Sequence, residues 1–388
     1  MDFSLTEEQT LLRDSVERFL REHYDFETRR ALAQSSDGYA RDNWRVFAEM
    51  GWLALPFSED AGGLGGSQID VMILMEALGR GLVLEPYLGS VLLAGRLLEK
   101  MGSAAQKDAW LAPIIVGERR LAFAWAEPDA RYDLAATGVR AEIYVDGGYH
   151  LSGRKSVVIG APGADGLIVL ARTHGARGDR NGLSCFIVPA DASGLTIQSY
   201  RTIDGGRAAD VTFEKVHIGK DAVLGPPDEV LETVEGVLDA ATAALCGEAL
   251  GLMQASLDST RDYLLQRQQF GRPLAGFQVL QHRLADMTVA LEEARSLTCV
   301  ANIRIDEGDS TATRRAVSTA KAELERHASF IAAQAVQLHG GMGVSEEMAV
   351  GTCFKRLHAI LRLFGDRTWH LRRFAALGTE TMGHSARA

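Results

Sequence analysis

The chain is poor in helix breakers and in sulfur chemistry. Nine prolines stand among 388 residues, at positions 56, 86, 113, 128, 162, 189, 226, 227 and 273, so only one follows Pro227. Long helices can therefore run through the last third without losing a backbone donor. The four cysteines, Cys185, Cys246, Cys299 and Cys353, lie far apart with no CxxC pair. That argues against a disulfide framework or a zinc knuckle and for buried free thiols. No uninterrupted apolar run approaches the ~20 residues of a membrane helix, and the start MDFSLTEEQTLLRDSVERFL has no signal-peptide core. A soluble, cytoplasmic protein is expected. With 41 Lys+Arg against 51 Asp+Glu, a net charge of −10 and no long basic run, the composition also argues against nucleic-acid or anionic-membrane partners.

Familiar catalytic signatures are missing too. There is no GxSxG elbow and no GxxxxGK loop, and the ten histidines do not pair at metal-ligand spacing. Two glycine clusters are present, but neither makes a dinucleotide fingerprint. Gly62 to Gly66 lacks the GxGxxG spacing and a preceding strand, and Gly340-Gly341-Met342-Gly343 follows the helical run IAAQAVQLH. Gly340-Gly341 reads either as a helix C-cap or as a place where a ligand approaches bare backbone.

What is present divides the chain into three. Residues 1–120 show helical periodicity in short pieces, broken near Gly62–Gly66 and at Pro86. Residues 121–225 turn to short β-rich runs, LAFAWA, AEIYV, YHLSG, GLIVLAR, SCFIVP, LTIQSY and VTFEKVHI, with Asp146-Gly147-Gly148 as a hairpin signal. Strand follows strand with no helix between, so an antiparallel barrel or sandwich is expected. Residues 226–388 open at Pro226-Pro227-Asp228, and Val230, Val234, Leu238, Leu245 and Leu252 mark a first long helix closed by Pro273. Further helices are expected over about 276–306, 311–339 and 346–376, giving a four-helix bundle. The fold class is α+β multidomain.

The strongest local signal is Arg267-Gln-Gln269-Phe270-Gly271-Arg-Pro273, followed by Phe277-Gln278. This segment resembles the RxQFGxPxxxFQ turn of the flavin-dependent acyl-CoA dehydrogenases. The resemblance extends over nearly the whole chain: FSLTEEQ at the start, LPFSEDAGGLGGSQID, Ala126-Glu127-Pro128, GRKSVVI, and Ala335-Val336-Gln337-Leu-His-Gly340-Gly341.

The resemblance implies an FAD-dependent α,β-dehydrogenation of an acyl-CoA thioester to the 2-enoyl-CoA, with electrons passed to an electron-transferring flavoprotein. It implies a tetramer in which FAD lies between the β domain and the bundle, while a neighbour's helix end adds pyrophosphate contacts. Carried over by motif, Arg267 and Gln269 would reach the FAD pyrophosphate, since a guanidinium fork matches two phosphate oxygens. Phe270 would pack on the adenosine half, Gln278 would contact the adenine side, and Gln337, Gly340 and Gly341 would form the second cofactor loop. Ala126 and Ile159 would hold the flavin ring through backbone, and Thr368 would complete the cofactor set.

Three departures stand out. The usual E-P-x-x-G-S-D reads Glu127-Pro-Asp-Ala-Arg131-Tyr132-Asp133, without the serine. The usual W-I-T strand reads Val157-Val158-Ile159, which makes the flavin cover aliphatic. The usual base, a Glu in an E-G-T triplet, is missing from Leu363-Phe364-Gly365-Asp366-Arg367-Thr368. Counting from Gly340 places the Glu column near Phe364, whereas a two-residue longer turn overlays Asp366-Arg367-Thr368 and makes Asp366 the general base. The alternative base position on the first bundle helix is Ala241, with Glu248 two turns along.

The closing pattern is most similar to small subunits of paired acyl-CoA dehydrogenases of the pimeloyl-CoA or steroid side-chain type. Three functions follow: a fatty acid or steroid side-chain acyl-CoA dehydrogenase, a partner subunit that completes the FAD site of a heterotetramer, or a flavin oxidase or monooxygenase on the same scaffold. Ala240, Ala241, Ala243 and Ala244 suit either a wide acyl cavity or ordinary tight helix packing.

Overall fold

A computed structural model describes residues 5–385. Thr6 and Gln9 exchange side-chain-to-backbone bonds that open α1 (Glu7–His23), a reciprocal cap that satisfies two otherwise orphaned amides. Helices α2 (Phe26–Gln34), α3 (Arg41–Glu49) and α4 (Gln68–Arg80) follow, the last opened by the same device at Ser67 and Asp70. A helical stretch Leu88–Gly95 continues into α5 (Arg96–Met101), and the short α6 (Ala104–Gln106) and α7 (Ala112–Ile115) lead to the sheet.

The strands are β1 (Leu121–Ala124), β2 (Arg140–Ile143), β3 (Tyr149–Ile159), β4 (Gly166–Arg172), β5 (Leu183–Pro189), β6 (Leu195–Arg201), β7 (Arg207–Ile218) and β8 (Val223–Leu224). They pair in the order β6-β7-β3-β2-β4-β5-β8, with β1 beside β4. All pairings are antiparallel except β1 with β4 and β2 with β4. The sheet is thus mixed, because the chain crosses from β1 to β4 and from β2 to β4 instead of returning through hairpins. Asp146-Gly147-Gly148 does turn β2 into β3: Gly147 takes a φ of 82° and the Tyr144 amide donates to the Gly148 carbonyl at 2.8 Å. Leu151, Val169, Phe186, Val211 and Phe213 fill the interior of the sheet.

The remaining helices are α8 (Leu231–Gln266), α9 (Gln278–Glu307), α10 (Ser310–His339), α11 (Ala349–Ile360) and α12 (Arg367–Ser385). The first of them stops at Gln266, before Pro273, and a two-stranded hairpin of β9 (Gln268–Gln269) and β10 (Arg272–Pro273) fills the interval. The single helix expected over 346–376 is two, α11 and α12. Phe364 and Gly365 both have positive φ, 59° and 121°, which no continuous right-handed helix accommodates.

Contacts group the chain into two units, one of residues up to Ala31, Ser67–Val83 and Thr242 onward, the other of Leu32–Gly66 and Leu84–Ala241. In the first, α4 crosses α8 backbone against backbone: a Cβ on Gly251 would lie 1.9 Å from the Glu76 carbonyl oxygen, and one on Gly79 2.1 Å from that of Glu248. By length and composition α8 contains an 18-residue window apolar enough to cross a membrane, but 83% of that window is buried inside the fold. Its apolar character therefore serves core packing.

Candidate functional site

The segment after α8 is a hairpin two residues long on each arm. Phe270 (φ 54°) and Gly271 (φ 78°) occupy its central positions, both in the left-handed region that a type I′ turn demands. For Phe270 this conformation costs on the order of 1–2 kcal/mol, yet the ring is 88% exposed. Strain spent on holding an apolar ring in solvent marks a functional position more than a folding one. The ring meets the edge of Phe277, 6.0 Å away and nearly perpendicular, while the Arg272 guanidinium lies 4.1 Å over Phe277. The Leu274 amide donates to the Arg267 carbonyl at 2.8 Å, which closes the turn on itself. Arg267, Gln269 and Gln278, the first residue of α9, are all exposed. The turn thus brings Arg267, Gln269, Phe270 and Gln278 together as one presented surface.

The second loop lies at the end of α10. The Gly340 amide caps the helix by donating to Gln337, and Gly340 adopts φ 61°, ψ −139°, a conformation open to glycine alone. Both readings of this glycine pair have an observation behind them. Gly340 is a true C-cap, and a Cβ at either Gly340 or Gly341 would meet no atom within 4 Å, so the backbone there is open to approach. Gln337 is exposed beside it. The last turns of α8 and α10 are tied to each other: the Tyr263 ring stacks on His339 at 4.6 Å, and His339 Nδ1 bonds the Ala335 carbonyl at 2.8 Å. Arg267 and Gly340 therefore follow directly from two helix ends that are fixed together.

Asp366 sits at the start of α12. Its Oδ1 accepts a hydrogen bond from the Trp369 amide at 2.9 Å, so the side chain is the helix N-cap. Among the described residues its other oxygen accepts no hydrogen bond. The connection before it is fixed by the buried Lys321, whose Nζ donates to the carbonyls of Ile360 at 3.0 Å and Gly365 at 3.1 Å. Burial pushes the Lys321 ammonium down to about 8. Phe364, at the counted Glu column, is buried in the left-handed conformation. His370 packs close enough that a Cβ on Gly365 would lie 2.6 Å from its Nε2, and burial pushes this imidazole down to about 3. Thr368 is exposed in the first turn of α12. Glu248 is held by Arg356 in a two-pronged ion pair, Nε to Oε1 at 2.6 Å and Nη2 to Oε2 at 2.9 Å. That pairing makes Glu248 a structural carboxylate.

In the other unit, the Ala126 carbonyl accepts from the Ser156 amide at 2.8 Å, which joins the segment after β1 to β3. At this point β3 bulges, with a register shift between Lys155 and Val158. The bulge puts Val157 at φ 51° and leaves it 49% exposed. Two residues on, Ile159 is half-buried opposite Ala208. Arg131, in the place of the missing serine, is exposed at φ 51°.

The sequence reading missed what braces these two segments. Lys155 is fully buried, and its Nζ donates to Glu127 Oε1 at 2.8 Å and to the Trp125 carbonyl at 3.0 Å. Glu127 also accepts from the amides of Gly138 at 2.8 Å and Val139 at 3.0 Å. Burial pushes Lys155 down to about 8, while for Glu127 the opposing Lys155 charge and the amides outweigh burial and leave its carboxyl below the usual range. The signal was a lysine on the inward phase of β3, the phase that Leu151 also occupies.

Comparison with known proteins covers almost the whole chain. Family models for the N-terminal, middle and C-terminal domains of acyl-CoA dehydrogenases match residues 6–118, 122–216 and 231–376. A probable acyl-CoA dehydrogenase of Bacillus subtilis is 30% identical over 355 residues, 90% of this chain and 92% of the relative. A caffeyl-CoA reductase–Etf complex subunit of Acetobacterium woodii is 32% identical over 324 residues, 82% of this chain and 83% of the relative. Among solved structures, a chain of the Tcur3481–Tcur3483 steroid ACAD superposes with a TM-score of 0.86 at 30% identity, covering 97% of this chain and 99% of the other.

Proposed function

The chain belongs to the acyl-CoA dehydrogenase family, and on that premise we propose that it is a subunit of an FAD-dependent enzyme that desaturates an acyl-CoA thioester between its α and β carbons and passes the electrons to an electron-transferring flavoprotein. When bound, FAD supplies the acceptor for the β-hydride. This chain's residues fit the cofactor. Arg267 and Gln269 offer donors to a diphosphate, the exposed Phe270 ring offers a face to the adenosine half, and Gln278 lies beside it on the same turn. Gln337 and the open backbone of Gly340 and Gly341 would hold phosphate oxygens, as bare amides do in other anion sites. Ala126, Ile159 and Thr368 are assigned to the ring end of the cofactor.

The observation that supports a division of labour is the state of Asp366. Removing an α-proton from a thioester needs a carboxylate free to take it. In this chain the candidate already caps α12, and the residue at the Glu column is an apolar phenylalanine. On this reading the proton acceptor comes from a homologous partner chain, and the two-component steroid ACAD and the ChsE4–ChsE5 complex among the similar structures support such a pairing. A second reading has its own support: Asp366 Oδ2 is uncommitted, and through it Asp366 would serve as base in a homotetramer. Expression alone and with the homologous chain separates the two. Anaerobic bleaching of the bound flavin by medium-chain, dicarboxylic and steroid side-chain CoA esters only in the co-expressed assembly carries the first reading. A fully active homotetramer overturns it.

A further inference from the structure

A cavity of about 380 Å³ opens between the α2–α3 loop and the ends of β6 and β7, at the lower end of the ~300–1,000 Å³ typical of small-molecule sites. Arg41, Arg120, Arg201 and Arg207 line it, against one carboxylate, Asp37, and beside Tyr39. In a chain of net charge −10, four guanidiniums facing one acid form a pronounced local reversal of sign. Among the described residues Arg41 alone of the four is ion-paired there, its Nε bonding Asp37 Oδ2 at 2.8 Å.

The other three spend their hydrogen bonds on neutral oxygens. Arg207 Nη2 donates to the carbonyls of Ser35 at 2.6 Å and Ala33 at 3.2 Å, and Arg201 Nη1 to Gln34 Oε1 at 2.7 Å. Arg120, 7% exposed, bonds the Gly163 carbonyl and lies 4.7 Å over the Tyr39 ring. Among the described residues none of the three forms an ion pair, although Arg120 feels the charges of Asp165 and Asp37. The arrangement is built into the backbone: Gly38 takes φ 75°, and a Cβ there would lie 2.6 Å from Arg207 Cγ, so the loop is shaped to admit that side chain. Holding like charges together with too few counter-charges is unfavourable unless something anionic offsets them. Burial and the neighbouring Arg201 both push the Arg207 guanidinium down.

We infer that this cavity is a binding site for a small phosphorylated ligand, a phosphomonoester or diphosphate. None of its lining residues belongs to the segments assigned to FAD. Guanidinium forks match paired phosphate oxygens, and the cavity is too small for a polymer. Such a phosphate could be free or carried on a nucleotide tail such as that of CoA, and the ligand panel distinguishes the two.

The test is titration calorimetry of the FAD-loaded protein at low ionic strength with inorganic pyrophosphate, CoA and dephospho-CoA. Arg201→Gln changes an exposed side chain and should leave folding intact, while weakening pyrophosphate binding roughly ten-fold or more, the worth of one charge-assisted bond. Asp37→Asn, which releases Arg41, should tighten it. If the natural source is the CoA tail, Arg201→Gln weakens CoA, sparing dephospho-CoA where the 3′-phosphate is what binds and weakening both where the shared diphosphate is; if it is a free phosphate, both CoA forms bind the variant as they bind the parent. Absence of pyrophosphate binding, or equal binding by parent, Arg201→Gln and Asp37→Asn, overturns the inference.

Discussion

Two substitutions at Asp366 separate its two conceivable jobs because the jobs differ in magnitude. As the N-cap of α12, it accepts one amide hydrogen bond, from Trp369 at 2.9 Å. Replacing such a cap by alanine costs about 1 kcal/mol, within a range of ~0.5–2. An asparagine keeps an acceptor and caps about as well, so Asp366→Asn should be close to neutral. With an unfolding entropy of ~2.1 cal/mol/K per residue, a chain of this length shifts its Tm by only on the order of 1 °C per kcal/mol. Denaturant midpoints are therefore the better readout of the alanine effect. As a general base, by contrast, the carboxylate would carry a rate factor of roughly 10²–10⁴, about 3–5 kcal/mol of barrier, and Asp366→Asn would forfeit all of it. The capping geometry predicts that Asp366→Asn in the co-expressed assembly retains turnover and stability, and that Asp366→Ala loses about 1 kcal/mol of stability with turnover intact. Single-turnover flavin reduction, followed anaerobically, measures the chemistry without interference from reoxidation. A loss of a hundred-fold or more in Asp366→Asn at unchanged denaturant midpoint would refute this reasoning and make Asp366 the base through Oδ2.

Other substitutions probe the remaining parts. Arg267→Gln should weaken FAD binding ten-fold or more by removing a charge-assisted fork, and Arg267→Lys should recover only part of it; equal FAD retention after dialysis in all three proteins would contradict the assignment. Gly251→Ala places a methyl 1.9 Å from the Glu76 carbonyl oxygen, so α4 and α8 must separate at a cost of at least ~1–3 kcal/mol; a denaturation midpoint equal to that of the parent would show that the crossing is not close. His370 shapes the acid limb of stability. Its folded-state value of about 3 lies below the unfolded 6.5, so between pH 6.5 and 3 the unfolded chain binds a proton that the folded one refuses, and stability falls as pH falls through that window. His370→Phe should flatten this part of the unfolding free-energy profile, and an unchanged slope would remove His370 as its cause.

What was legible in the sequence was what local chemistry encodes. Asp146-Gly147-Gly148 announces its hairpin because Gly147 needs a positive φ, and proline scarcity after Pro227 announces long helices because nothing interrupts their ladders. The RxQFG turn was legible for the same reason, since Gly271 is fixed by the turn type, although the left-handed Phe270 was not, as nothing in its identity favours that conformation. The break between α11 and α12 escaped notice because it has no proline. It is set by tertiary bonds from Lys321 to Ile360 and Gly365, thirty-nine and forty-four residues away in the chain. The same distance effect hid the brace between Lys155 and Glu127, whose meaning depends on which inward position meets which acid across the sheet.

A net charge of −10 is a property of the chain's sum, whereas recognition of a phosphate depends on a few donors within a Debye length of about 8–10 Å. Arg267 beside its exposed turn, and the guanidinium-rich cavity at the α2–α3 loop, are local fields that the sum conceals. Composition therefore bears on extended polyanions, which must meet a broad basic surface, and carries no information about small ones. The two kinds of anion site should also differ in their response to salt. Binding at the exposed Arg267 turn should weaken steeply as ionic strength rises, while the partly enclosed arginine cavity, screened less because solvent reaches it less, should hold its ligand over a wider range.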